Sequence, residues 1–426
     1  MRTRLPALLV TALLVCAVPV LAADWPQWRG PDRTGVSKET GLLKEWPKDG
    51  PKQLWKNNEV GGGFSTPSVV GDRVYLLGSK DREEYLIVLD AADGKEQGRT
   101  KVGKVGRDGP PSYPGPRSTP TVDGDLIYVL GSDGDLVCID RAKGDIKWKK
   151  NLKTDFAGKV GQWAYAESPL VDGNVVVCTP GGKEATLAAL DKKTGETIWK
   201  SAVPGGDAAA YASVVTLDAG GVRQYVQFLA GGLVGVEART GKFLWRYDKT
   251  KDPAANIPTA VPHGDGVFSS TGRNGSGLVR IKADNGAVSA DQVYYNTTKL
   301  SSTGGAVCVG DYIYGTNDAG DLLCMDIKTG DVKWHDPSVG WASLCCVDGM
   351  LYVRGQGGNG FGPEKPAWVA LVEATPEGYK EHGRFQQPEH GNKPAWPHPV
   401  VTDGRLYLRD QGVLFCYDVK DPKARK

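Results

Sequence analysis

The sequence predicts an all-β fold, an eight-bladed β-propeller of four-stranded antiparallel blades in which an N-terminal strand closes the last blade. Three observations carry this expectation. One unit recurs about every 47 residues, a period that suits propeller blades. The full units end on a fixed spacing, an acidic residue followed by Gly four positions later and Trp eight positions later. The chain also holds 57 Gly and 27 Pro among 426 residues, spread between short runs of alternating apolar residues, which reads as many strands joined by tight turns.

Unit two displays the pattern in order. Thr121-Val122-Asp123-Gly124-Asp125 gives a first strand and its turn, and Leu126-Ile127-Tyr128-Val129 a second strand. Leu136-Val137-Cys138-Ile139-Asp140 gives a third, followed by Gly144 and Trp148. Asp191/Trp199, Glu237/Trp245 and Asp326/Trp334 repeat the ending, while Asp90/Gly98 and Lys282/Ala290 are copies that have lost the Trp. The second strands fall at Tyr75, Tyr128, Val177, Tyr225, Phe268, Tyr314, Tyr352 and Tyr407, so the units number eight. The repeated Gly is expected at positive φ in the turn before the fourth strand. Trp148, Trp199, Trp245 and Trp334 are expected to dock on the neighbouring blade, each indole N–H finding an acceptor there. Unit eight lacks a fourth strand, and Gln53-Leu54-Trp55-Lys56 looks like the missing copy, with Trp55 as its docking residue. A strand that latches the ring in this way removes its exposed edges.

The propeller is thus expected over residues 53–426, preceded by an arm at 23–52 and a secretory signal at 1–22. The signal reading rests on Arg2 and Arg4, an apolar run over 5–21, and Ala22-Ala23 at the cleavage point. A membrane anchor or a lipoprotein Cys16 are the alternatives, and no later segment is apolar enough to span a membrane. Seven further Cys at irregular spacing make no disulfide framework, no zinc site and no c-type haem motif. Cys138, Cys324 and Cys416 share one repeat slot and read as small buried residues. A net charge of +2, with 52 basic and 50 acidic residues intermixed, speaks against nucleic acid as a partner.

The acidic-x-x-x-Gly-x-x-x-Trp units resemble the quinoprotein-like propellers of PQQ-binding-like repeats, across nearly the whole mature chain. Asp24-Trp25-Pro26-Gln27-Trp28-Arg29-Gly30-Pro31 and Trp396-Pro397-His398-Pro399 resemble segments of exported, planctomycete-type members. The resemblance implies relatives of two kinds, quinoprotein alcohol dehydrogenases and scaffold propellers of outer-membrane assembly.

A dehydrogenase of that type needs an aromatic platform, a cation, a carboxylate base and oxygen ligands for Ca²⁺. The residues in suitable places around the axis are Arg117, Trp163, Tyr165, Glu167, Tyr211, Asn256, Trp341 and His398, which precede or begin innermost strands, and Arg354, Arg409 and Asp410, which follow second strands. No arrangement of Glu, Asn and Asp matches the dehydrogenases' Ca²⁺ ligands. Cys345-Cys346 resembles the vicinal pair of those enzymes but falls within an innermost strand, where adjacent side chains point to opposite faces. Five scattered His give no metal-ligand spacing. Ser301-Ser302-Thr303-Gly304-Gly305 lacks the His pair that related chains carry there. The Gly-rich stretches at 61–63 and 357–360 are turns with no following helix to bind phosphate.

The expected function is therefore a monomeric binding or scaffold module of the periplasm or cell envelope, with a protein or polysaccharide partner, no cofactor and no committed catalytic site. The alternative is a PQQ- and Ca-dependent alcohol dehydrogenase of the polyvinyl-alcohol type.

Overall fold

The computed structural model describes residues 24–284, 286–300, 303–357, 366–391 and 393–425. The signal segment 1–22, Cys16, Ser301-Ser302 and the 358–360 end of the second Gly-rich stretch lie outside the described residues.

Eight sheets are formed, one per repeat, each built on four antiparallel strands. Blade two shows the common plan, running outward from the axis as Thr121–Asp123, Leu126–Leu130, Asp135–Asp140 and Ile146–Asn151. Blade eight takes Val400–Thr402, Arg405–Asp410 and Val413–Asp418 from the C-terminal end and its outer strand, Lys52–Asn57, from the N-terminal side. In that closing strand Trp55 pairs with Cys416, the register that Trp148 has with Cys138 in blade two. Among the described residues no helix is long and apolar enough to cross a membrane.

The repeated residues work as one joint. On the third strand a small residue faces the Trp: Cys138, Ala189, Gly235, Cys324 and Cys416 pair with Trp148, Trp199, Trp245, Trp334 and Trp55. The indole lies over that small residue and crosses to the next blade. Trp148 donates to the Lys192 carbonyl (3.0 Å), Trp199 to Ala238 (3.1 Å), Trp334 to Thr375 (2.8 Å), and Trp55 to Ala91 of blade one (3.0 Å), which shuts the ring. The repeated Gly of the receiving blade sits beneath that ring. A Cβ on Gly195 would lie 2.7 Å from Trp148, and one on Gly94 2.4 Å from Trp55, both at φ near the left-handed region (73° and 72°). Gly is thus required twice over, for its backbone angle and for room.

Two joints depart from the sequence expectation. Trp245 gives its N–H to Gln224 of its own blade (2.6 Å), so it packs on blade five without bonding it. Blade five, which has Ala290 where the Trp is lost, docks through Tyr294 instead, whose hydroxyl donates to the Ile327 carbonyl of blade six (2.9 Å).

The arm before the latch does more than precede the ring, because it closes the axis. Trp25 bridges Val69 of blade one, and Val122 of blade two donates to the Pro26 carbonyl. The Trp28 indole donates to Thr259 beside blade five (3.1 Å), Arg33 reaches the Ser168 and Pro169 carbonyls beside blade three, and Arg29 reaches Ala306 of blade six. Val36–Ser37 then pairs in parallel with the inner strand of blade seven, and residues 38–51 pass outward to the latch. The turns that let the segment fold back on itself put Arg29 (61°), Gly30 (81°), Arg33 (56°) and Gly35 (77°) at positive φ.

Candidate functional site

The arm turns the central channel into a cup. Above its floor, at the end where the inner strands begin, lies a cavity of about 480 Å³. Its walls come from the loops entering the inner strands. Phe64, Tyr113 and Trp396 form one aromatic group, with Tyr113 and Trp396 ring centroids 4.6 Å apart. Trp163 and Tyr211 form a second (5.9 Å), and Trp341 stands near Asp318 with its indole N–H on that residue's carbonyl (2.9 Å). Arg117 lines the wall, paired with Asp108 at 2.9 Å and placed over the Phe64 ring.

The floor is Trp28, Arg29 and His398. The Trp28 and His398 rings meet edge to face at 4.6 Å. His398 Nδ1 faces the Leu344 carbonyl (3.3 Å), which assigns the proton to Nδ1. Burial, together with the positive charge of Arg29, pushes its pKa down to about 3, so it is neutral at physiological pH.

Of the eleven residues singled out around the axis, Arg117, Trp163, Tyr211, Trp341 and His398 line this cavity. The other six are turned into the joints. Tyr165 is buried in the core shared by blades two and three, its hydroxyl on the Pro180 carbonyl (2.9 Å). Glu167 accepts from the Thr179 backbone (2.9 Å), and burial pushes its pKa up to about 8. Asn256 spends its amide on the Leu229 carbonyl (2.8 Å) and its carbonyl oxygen on the Asp252 backbone (2.7 Å).

Arg354, Arg409 and Asp410 do not reach the rim, which corrects the sequence expectation. All three lie within second strands, where burial between blades decides their direction. Arg409 staples blade eight to blade one through the Ser65 (2.9 Å), Leu77 and Gly61 (3.1 Å) carbonyls. Arg354 and Asp410 share Gln387 and approach to 3.5 Å, and Asp410 also holds His390 at 2.7 Å.

Sequence reasoning missed Trp28, Arg29, Phe64, Tyr113, Trp396 and the two lining carboxylates Asp252 and Asp318. Most stand outside the repeat, and the arm's many turn residues were the only signal that it folds back.

These residues do not fit a quinone held with calcium. The cavity's carboxylates are Asp252, which caps the Ala254 backbone (2.7 Å) and faces Arg273 (3.5 Å), and Asp318 near Lys299 (4.0 Å). Among the described residues no group of three or more His, Cys, Asp or Glu is gathered to hold a metal. Cys345 and Cys346 are free thiols on opposite faces of their strand, one in the core shared by blades seven and eight, the other in that of six and seven.

The chain is 25% identical to the outer membrane protein assembly factor BamB of Shewanella oneidensis over 338 residues, covering 69% of this chain and 82% of that one. It is 24% identical to a polyvinylalcohol dehydrogenase of a Sphingopyxis species over 250 residues, 52% of this chain and 34% of that one. Among solved structures, BamB from Moraxella catarrhalis superposes with a TM-score of 0.58 at 14% identity, covering 86% of this chain and 99% of that one. The quinohemoprotein alcohol dehydrogenase ADHIIG from Pseudomonas putida HK5 does so at 0.61 and 13% identity, covering 94% and 80%. At these identities the structural likeness shows the propeller fold and leaves function open. A family model described as outer membrane protein assembly factor BamB matches residues 82–336, more than half of the sequence, and the chain belongs to that family.

Proposed function

We propose that this protein is an exported binding and scaffold propeller of the periplasm or cell envelope, acting as a monomer and holding a partner protein of that compartment. The observation that carries the reading is the family match over residues 82–336, whose members are named as factors of outer membrane protein assembly. The architecture suits the task. A ring closed by its own N-terminal strand and plugged along its axis is rigid, so a partner meets a preformed surface and little ordering entropy is lost on binding. The aromatic loops at the cavity end give such a surface contact area at low entropic cost.

The test is fractionation of the tagged full chain together with photocrosslinkers placed on the cavity-side and opposite faces. The expected result is an envelope fraction and a face-specific crosslink to one envelope protein. Alcohol oxidation with an artificial electron acceptor after incubation with quinone and Ca²⁺, or a cytosolic location, overturns it.

A further inference from the structure

We propose that the axial cavity binds a small carboxylic acid with an apolar or aromatic body, its acid group seated on Arg29 at the floor and its body held between the aromatic walls. This goes beyond the partner reading and turns on the floor of the cavity, which that reading does not use.

The floor is rich in donors and poor in acceptors. Arg29 is 3% exposed, yet among the described residues no carboxylate pairs with it. Both of its hydrogen bonds leave from Nη2, to the Thr34 (2.7 Å) and Ala306 carbonyls. Nε is buried without an acceptor, and Nη1, beside Gly305 and His398, donates to none of the described groups. The other buried guanidiniums are better satisfied. Arg117 has Asp108, Arg354 has Asp410 and Gln387, and Arg409 spends its fork on four carbonyls. A buried charge left half-satisfied is costly, and an anion against it offsets that cost. Burial holds Arg29 down at about 10, so it remains a cation at neutral pH.

Four hydroxyls lining the same cavity support an anionic ligand. Thr66 accepts from the His398 backbone (3.1 Å), Ser168 from Thr119 (2.9 Å), Ser213 from Ser168 (2.9 Å), and Thr259 from the Trp28 indole (3.1 Å). All four line the cavity, and each hydroxyl is used as an acceptor, which leaves its own proton for a ligand oxygen. The cavity's carboxylates, Asp252 and Asp318, belong to loops of blades five and six, and each faces a cation, Arg273 (3.5 Å) or Lys299 (4.0 Å), rather than Arg29. With both carboxylates already facing cations, the donors left without a partner are those of Arg29 and the hydroxyls, and these seat an anionic group. The walls between are aromatic, which favours an apolar or aromatic body over a polyhydroxylated one.

The experiment is calorimetric titration of the full chain with benzoate, cinnamate and 2-naphthoate, each matched to its neutral amide, and followed in parallel by tryptophan fluorescence. The expected result is at least tenfold tighter binding of an acid than of its amide. Arg29→Met is expected to abolish that preference while leaving amide binding in place, and Arg29→Lys to retain part of it. Because Arg29 also anchors the arm, Ser213→Ala serves as a second variant: it leaves the buried Ser168 N–H without its acceptor and so lowers the melting temperature modestly, and it is expected to weaken the acid several-fold relative to its amide. Equal affinity for acids and amides, or no binding of any of the three acids, overturns the proposal. Partner crosslinking measured on the same variants reports on the scaffold reading separately, since it is expected to survive Ser213→Ala unchanged.

Discussion

The joints between blades and the axis of the ring are both packed with buried polar groups, but they are built in opposite ways. At the joints one device is repeated. An indole lies over a small residue, donates to a carbonyl of the next blade, and rests on a Gly whose φ is positive, as in the Trp148–Lys192 and Trp55–Ala91 contacts. At the axis nothing repeats. A single segment, residues 24–37, touches seven of the eight blades and carries its own cations, Arg29 and Arg33, into the interior. Symmetry gives the ring its rigidity, and the segment that breaks symmetry gives the channel a floor.

The sharpest way to break the comparison is to remove the latch. Deleting residues 50–58 removes the outer strand of blade eight and the Trp55 joint together, and exposes the edge of Val413–Asp418. The expected outcome is loss of soluble monomer, scored by size exclusion and sedimentation, because an open ring offers an unpaired strand to other copies. Unchanged yield and melting would mean that the arm alone holds the ring.

Single joints come next. Trp55→Ala removes a buried ring and its bond to Ala91, and on the order of 3–5 kcal/mol of unfolding free energy is expected to go with it. Trp245→Ala is the informative partner, since its indole bonds within its own blade. If both variants lose the same stability in denaturant melts, packing carries the joint. If Trp55→Ala costs more, the cross-blade bond and ring closure contribute as well.

How much of this was legible follows the same division. Blade number, strand order, the docking Trp residues and the closing strand all followed from periodicity, because a period is a property of sequence alone. Tyr294 did not, since it stands four residues beyond the expected slot, on the far side of the strand irregularity between Leu278 and Val279. The cavity was half legible. Arg117, Trp163, Tyr211, Trp341 and His398 are placed by the loops entering inner strands, which the repeat locates. Arg354, Arg409 and Asp410 obey the same loop logic on paper, yet burial against neighbouring blades turned them inward. Trp28 and Arg29 were invisible because their position depends on a chain path that no repeat encodes.

Carboxyls buried in the joints and the buried imidazole at the axis predict opposite pH signatures. Burial raises Glu167, beside Arg33, to about 8, and Glu84 of blade one, which accepts from the Ser132 backbone of blade two (2.8 Å), to about 7, each from 4.5, so the folded chain keeps protons that the unfolded chain releases. Stability therefore falls as pH rises from about 4.5 towards 8. His398 runs the other way. It is held neutral down to about 3 while the unfolded chain takes up a proton below its ordinary 6.5, so stability also falls as pH drops from 6.5 to 3. Melting temperature against pH should be flattened on the rising side by the pair E84Q/E167Q and on the acid side by His398→Asn. Unaltered profiles would show that these groups titrate normally.

The smallest expected effect sharpens the rule for the joints by adding one. Blade one has Gly98 in the docking slot, paired with Val88, where the docking blades hold a Trp facing Cys, Ala or Gly. The register is intact, because Thr100, two residues on, donates to the Gly144 carbonyl, as Asn57 and Asn296 donate to Gly94 and Gly330 in their joints. A Cβ at Gly98 meets nothing within 4 Å, and Gly144 already has φ of 74°. The double variant Gly98→Trp with Val88→Ala should lay an indole over the methyl group left on the third strand and direct its N–H to the Arg141 carbonyl, the position equivalent to Lys192 and Ala238. A gain of about 1 kcal/mol, read as a rise of a few degrees in melting temperature, is the expected size for a well-placed aromatic at a partly exposed joint. A loss instead would show that the spacing of the slot is not enough, and that the Thr100 side chain, which stands 3.2 Å from the Gly144 Cβ position, already occupies the space an indole needs.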